Sequence, residues 1–158
     1  LRFVDFGCGL GRACVLAAEH GFAKVTGVEL APELCAGARQ NVARFRSRYR
    51  GASPIEICQM DVLQYCERME DDVVFMFRPF SLEFMRIILE QLVARSRARQ
   101  ARLTLIYSER MLLPGKLKNF FVIIFIVHQH ILQIEFHRMM QGILLKCKKP
   151  QAVFKNEN

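Results

Sequence analysis

Leu1-Arg2-Phe3-Val4-Asp5-Phe6-Gly7-Cys8-Gly9-Leu10-Gly11-Arg12 decides the fold of this chain. An apolar run meets an acid, and three glycines then fall at alternate positions. A helix-like stretch, Ala13 to His20, follows directly. The pattern reads as a strand, a tight glycine turn and a helix N-terminus. Glycine lets the backbone take φ > 0 and lets a ligand approach with no Cβ in the way. Free N–H groups at the helix start add donors and positive potential. Such a turn is suited to a nucleotide-like ligand.

The spacing separates ligand classes. A dinucleotide fingerprint has G-x-G-x-x-G/A. Counted from Gly7, its last small position falls on Arg12, whereas the third glycine here is Gly11. That disfavours a nicotinamide oxidoreductase. Further along, Lys24-Val25-Thr26-Gly27-Val28-Glu29-Leu30 is a short β-rich run ending in an acid. An acid about 20 residues beyond such glycines hydrogen-bonds ribose hydroxyls, and Glu29 stands at that distance. The alternative is an exposed strand-end glutamate. Ile55 to Met60 alternates apolar and polar residues, as in a half-buried strand, and ends in Asp61-Val62. Asp is also a preferred helix cap, so Asp61 admits that role as well.

With Asp5 ahead of Gly7, Gly9 and Gly11, residues 1 to about 108 resemble class I S-adenosylmethionine-dependent methyltransferases. The resemblance implies a Rossmann-like α/β fold: a mostly parallel twisted sheet, helices on both faces and a C-terminal antiparallel hairpin. It implies S-adenosylmethionine as cofactor. The glycine turn would hold the methionine and ribose part and Glu29 would fix the ribose, with Asp5, Leu30 and Phe77 also among the cofactor-binding residues. Asp61 would accept from the adenine amino group, and Val62 would pack on the ring. The end of Asp72–Phe77, followed by Arg78-Pro79-Phe80, would face the methyl group. Several subfamilies carry Asn or Asp, Pro and an aromatic residue there. Pro79 and Phe80 fit that pattern and Arg78 does not. An arginine has no acceptor but can clamp a carboxylate or phosphate bidentately. Arg78 is compatible with an unusual acceptor, and equally with an inactive copy that serves as a cofactor-binding or interaction module.

The coarse order is strand 1–6, helix 11–20, strand 24–29, helix 32–48, strand 55–60, helix 62–68, strand 72–77, helix 81–97 and strand 102–108. Strands alternating with helices imply a parallel sheet covered on both faces. Right-handed crossovers would bring Gly7–Gly11, Glu29, Asp61 and Arg78 to its carboxyl edge. Met111 to Gly115 reads as a loop. Residues 120–127 and 132–136 suit a hairpin turning near His128-Gln129-His130. The alternative there is an apolar helix over 118–140. Residues 1–146 form the expected domain and 147–158 a tail. Leu1 is not an initiator Met and already lies within a core strand, so an upstream segment is expected.

The net charge is +8. It gathers at Arg44, Arg46, Arg48 and Arg50, at Arg95, Arg97, Arg99 and Arg102, and in the lysine-rich end. Only Phe45 and Tyr49 interleave with the first cluster. A small-molecule or protein acceptor is therefore a better expectation than nucleic acid, which wants basic residues on one face with aromatics. Six cysteines show no C-x-x-C pairing, and several lie on apolar faces, so free thiols in a reducing, cytoplasmic setting are expected. Cys8 reads as packing rather than as a nucleophile. His128 and His130 could share a strand face but have no evident third ligand, so no metal is expected. No membrane span is expected, and oligomeric state is not legible.

Overall fold

The central strand, β1 (Arg2–Phe6), is buried on both faces, as strands of a covered parallel sheet are. Phe3 and Asp5 point to one face, Val4 and Phe6 to the other, and all four are buried. The computed structural model describes residues 1–77, 80–111 and 119–127. After β1 come α1 (Arg12–Glu19), β2 (Lys24–Glu29), α2 (Pro32–Arg48), β3 (Ile55–Gln59), α3 (Val62–Arg68), β4 (Val73–Phe77), α4 (Leu82–Arg99), β5 (Leu103–Met111) and β6 (Asn119–Val127). The sheet order is β3-β2-β1-β4-β5-β6, parallel throughout except for the antiparallel β5–β6 pair. The strand order reverses between β1 and β4, and open α/β sheets bind ligands at the carboxyl ends beside such a point.

Local sequence explains the helix ends. Pro32 begins α2 with Glu33 in its first turn, and Arg46 and Arg48 lie in its last; each placement complements the helix dipole or its free amides. The Asp61 carboxylate accepts from the Leu63 N–H at 2.7 Å and caps α3. Ser81 caps α4 through the Phe84 N–H at 3.3 Å. Gly11 precedes α1 at φ 77 with no side-chain cap, so the first amides of that helix stay available.

Each sheet face has its own core. Val4, Phe6, Val28, Val74, Met76, Leu103 and Leu105 pack with Tyr65, Met85, Ile88 and Leu92 from α3 and α4. On the other face Phe3, Val25, Ile55, Ile57 and Val73 pack with Cys14, Ala17, Ala38, Val42 and Phe45 from α1 and α2. Cys8, Cys14, Cys35, Cys58 and Cys66 are free thiols, all but Cys58 buried, where a thiol acts as a small hydrophobe.

Gly27 in β2 shows how tight the second core is. A Cβ there would stand 2.8 Å from Cys8 Sγ, 2.9 Å from Cys14 Sγ and 2.9 Å from Ile57 Cδ1. Gly27→Ala is expected to cost about 1–3 kcal/mol by overpacking, measured by denaturant unfolding. Adding Cys14→Ala removes one clashing sulfur and should return part of the loss. Additive effects would show that the two sites do not touch.

The expected element boundaries hold to within one or two residues except at β5. That strand runs on to Met111, which the sequence placed in a loop. The reason is the ladder with β6, which pairs Leu103 with Val127 and continues to Met111 with Asn119. Residues 119–127 are therefore strand and not the first part of a helix. The pairing partner is β5; the strand expected at 132–136, the turn at 128–130 and the tail at 147–158 lie outside the described residues. Among the described residues, no helix is long and apolar enough to cross a membrane.

Candidate functional site

The glycine turn sits at the carboxyl end of β1 and is anchored to β2. Gly7 and Cys8 both donate to the Val28 carbonyl, at 2.9 and 3.1 Å, and the Gly11 N–H closes onto the Cys8 carbonyl at 2.8 Å. Gly7, Gly9 and Gly11 have φ of 72, 52 and 77, a left-handed region that side chains strain to enter. A Cβ at Gly9 would meet no protein atom within 4 Å. The turn thus presents open backbone outward.

Glu29, at the end of β2, joins this turn to its own strand end. One carboxylate oxygen accepts from the Gly9 N–H at 3.0 Å; the other accepts from Leu30 and Ala31 N–H at 2.9 and 3.0 Å. It is neither free nor fully exposed, unlike a plain strand-end glutamate. A carboxylate has about four acceptor sites, and three are in use. The Leu30 and Ala31 bonds are local to the strand end, whereas the Gly9 bond spans twenty residues and requires the turn to lie over β2, which no local pattern reveals. Next to Glu29, the side chain of Leu30 is largely exposed.

The β2–β3 register sets Glu29 beside Gln59, and the Met60 N–H donates to the Glu29 carbonyl at 3.0 Å. Asp61 follows immediately, so Gly7–Gly11, Glu29 and Asp61 share the carboxyl edge of three adjacent strands. Asp61 has the capping role through one oxygen. Val62 is only 6% exposed and packs within the core, which leaves little of its side chain to face a ring. Phe77, at the end of β4, is 46% exposed. Phe80 is half-buried and stacks edge-on against Phe84 at 5.1 Å. Arg78 and Pro79 lie outside the described residues.

Asp5 stands apart. It is 3% exposed in the middle of the central strand, opposite Gly27 and Phe75. Burial pushes its carboxyl up to about 7; the Cys14 thiol, which donates to it at 3.9 Å, works against this, and the charge of Glu29 adds to it. Cys14 is itself pushed up by its hydrogen bond with Cys8, by burial and by Asp5. A thiol so held stays protonated and is a poor nucleophile.

A family model described as a methyltransferase domain matches residues 3–93. No curated protein matches the chain. Among solved structures, an RNA methyltransferase from Salinibacter ruber in complex with S-adenosyl-L-homocysteine superposes with a TM-score of 0.63. It is 21% identical, over 84% of this chain and 84% of that one. A conserved hypothetical protein of Streptococcus pyogenes gives 0.60 at 17% identity, covering 82% and 87%. Magnesium protoporphyrin IX methyltransferase from Synechocystis PCC 6803 with bound SAM gives 0.54 at 21% identity. The match covers 74% of this chain and 52% of that enzyme, so the chain spans about half its length. These likenesses concern the fold, and the family match covers the glycine turn, Glu29 and Asp61 together. This chain belongs to the methyltransferase domain family.

Proposed function

We propose that the domain binds S-adenosylmethionine at the carboxyl edge of β1, β2 and β3 and transfers its methyl group to an acceptor. The observation that carries this is the meeting of Gly7–Gly11, Glu29 and Asp61 from three separate segments at one sheet edge. The residues fit the cofactor. Open space above Gly9 admits a ligand against the backbone, the uncapped α1 start offers amides, and Glu29 retains acceptor capacity for a ribose hydroxyl. Asp61 keeps its second oxygen for the adenine amino group. Bound there, the cofactor supplies a methyl group already activated on a sulfonium.

The protein's part is then positioning and electrostatics. Glu29 fixes the ribose and the turn at once. The Phe77 side chain offers an apolar wall at the end of β4, beside the crevice. Arg78 would stand next to the acceptor, where it favours an anionic group. Calorimetric titration with S-adenosylmethionine, S-adenosylhomocysteine and NAD tests the cofactor assignment. The two sulfur ligands are expected to bind and NAD is not; NAD binding with no response to either sulfur ligand would sink it. A labelled-methyl assay over amine, carboxylate, phenol and nucleic-acid acceptors then separates an enzyme from a cofactor-binding module. Transfer to any of them supports the enzyme. Cofactor binding with no transfer supports the module, which Arg78 in place of the family's Asn or Asp also admits.

A further inference from the structure

A groove of about 710 Å³ runs along α1 from the glycine turn to the end of α2. Its walls include Leu10, Arg12, Leu16, Arg44, Arg48 and Tyr49. The cofactor reading assigns it no role. A second hollow, of about 430 Å³, continues from Glu19 and Tyr49 to Gly51 and Ala52. In the sequence, Arg44, Arg46, Arg48 and Arg50 look like one undivided cluster. The helix divides them: Arg44 and Arg48, one turn apart, share the groove face with Asn41 and Phe45, while Arg46 falls on the opposite side. Arg12, which broke the dinucleotide spacing, joins them from α1. Among the described residues none of the three guanidinium groups has an ion-pair partner. One carboxylate, Glu19, lies in the same groove.

Tyr49 supplies the second ingredient. Its ring is stacked on buried Phe45, with centroids 5.0 Å apart and planes 28° apart, while the residue stays 55% exposed. A braced, exposed aromatic face beside a track of unpaired arginines matches the chemistry that holds a single nucleic-acid strand. Cations follow the phosphates, and a base stacks on the ring without regard to its identity. We propose that this groove binds single-stranded nucleic acid. The groove meets the glycine turn at Leu10 and Gly11 but includes neither Glu29 nor Asp61, so its binding and cofactor binding can be tested apart.

Fluorescence anisotropy with a labelled twelve-residue oligouridylate tests it, with an acidic glutamate-rich helical peptide as the rival probe. The strand is expected to bind, and more weakly as salt rises. Tyr49→Ala should weaken binding by about tenfold. Arg44→Glu with Arg48→Glu should weaken it further. Arg44→Gln with Arg48→Gln disturbs the helix end less, and should lower the slope of log affinity against log salt by about 1.4. Circular dichroism and denaturant unfolding verify that each variant folds. No binding of the strand at low salt would overturn the proposal. So would binding that these variants leave unchanged, or binding of the acidic peptide alone.

Discussion

Asp5→Asn is expected to make the protein more stable at pH 8 and to leave it nearly unchanged at pH 4. The Asp5 carboxyl is buried, and burial raises it from 3.8 to about 7. The folded state therefore binds more protons than the unfolded state between roughly pH 4 and 7. Stability falls as pH rises where the folded state holds the extra proton. Above pH 7 the full cost of the buried charge is present, and it fades as pH drops through 7 towards 4. At about 1.36 kcal/mol for each tenfold change in proton affinity, the rise from 3.8 to about 7 corresponds to about 4 kcal/mol. Asparagine has no proton to lose, so the variant lacks this component. Urea unfolding at pH 4, 6 and 8 measures it, and the difference between parent and variant cancels the other titrating groups. Parallel pH profiles for the two proteins would show that Asp5 is not titrating in this range.

The same residue links stability to ligand binding. A cationic ligand at the sheet edge would favour ionised Asp5, so cofactor affinity should rise with pH up to about 7 in the parent. Asp5→Asn should flatten that dependence. The cost of the buried carboxyl in the free state would then be partly recovered on binding. That trade is common where local stability yields to function.

The alternation of strand and helix was legible in the sequence because each element carries its own period and ends at its own signal. Pro32 marked the start of α2, and the acids Glu29 and Asp61 marked strand ends. Their convergence followed from handedness and parallel order alone. What stayed hidden depends on three-dimensional packing. Nothing in Gly27 announces that two sulfur atoms fill the space where its Cβ would be. Val62 follows Asp61 in the motif, yet the turn into α3 directs its side chain into the core. The length of β5 depended on a partner strand, β6, which no local pattern at Met111 reveals. The expected helix over 32–48 already implied that Arg44 and Arg48 share a face, but not that α1 lies beside that face and closes a groove with it. At Arg12, a departure from one motif proved to be one wall of a groove.

Glu29→Ala is expected to weaken S-adenosylhomocysteine binding by about 1–3 kcal/mol, or roughly five- to 150-fold. It should also loosen the glycine turn. The carboxylate accepts from Gly9, Leu30 and Ala31. Removing it deprives three backbone donors of their partner as well as deleting the group that would face the ribose. Water can reach this half-buried edge, so unfolding should shift by no more than about 2 kcal/mol, well below three full charge-assisted bonds. Glu29→Gln is the sharper test. Glutamine has one acceptor oxygen and one donor amide, so it can keep the Gly9 bond or the Leu30–Ala31 pair but not both. The other end then sets a donor against a donor. It should therefore fall between parent and alanine in both affinity and stability. Glu29→Asp keeps the charge on a shorter stem and should lose Gly9 first. Titration calorimetry and denaturant unfolding on the three variants give the ranking. If glutamine matched the parent in affinity while alanine did not, a single neutral acceptor would suffice for the ligand, and the Gly9 bond would be a property of the free turn alone. If alanine bound as tightly as the parent, the ribose would lie elsewhere, and the crevice at the ends of β1, β2 and β3 would have to be given up as the cofactor site.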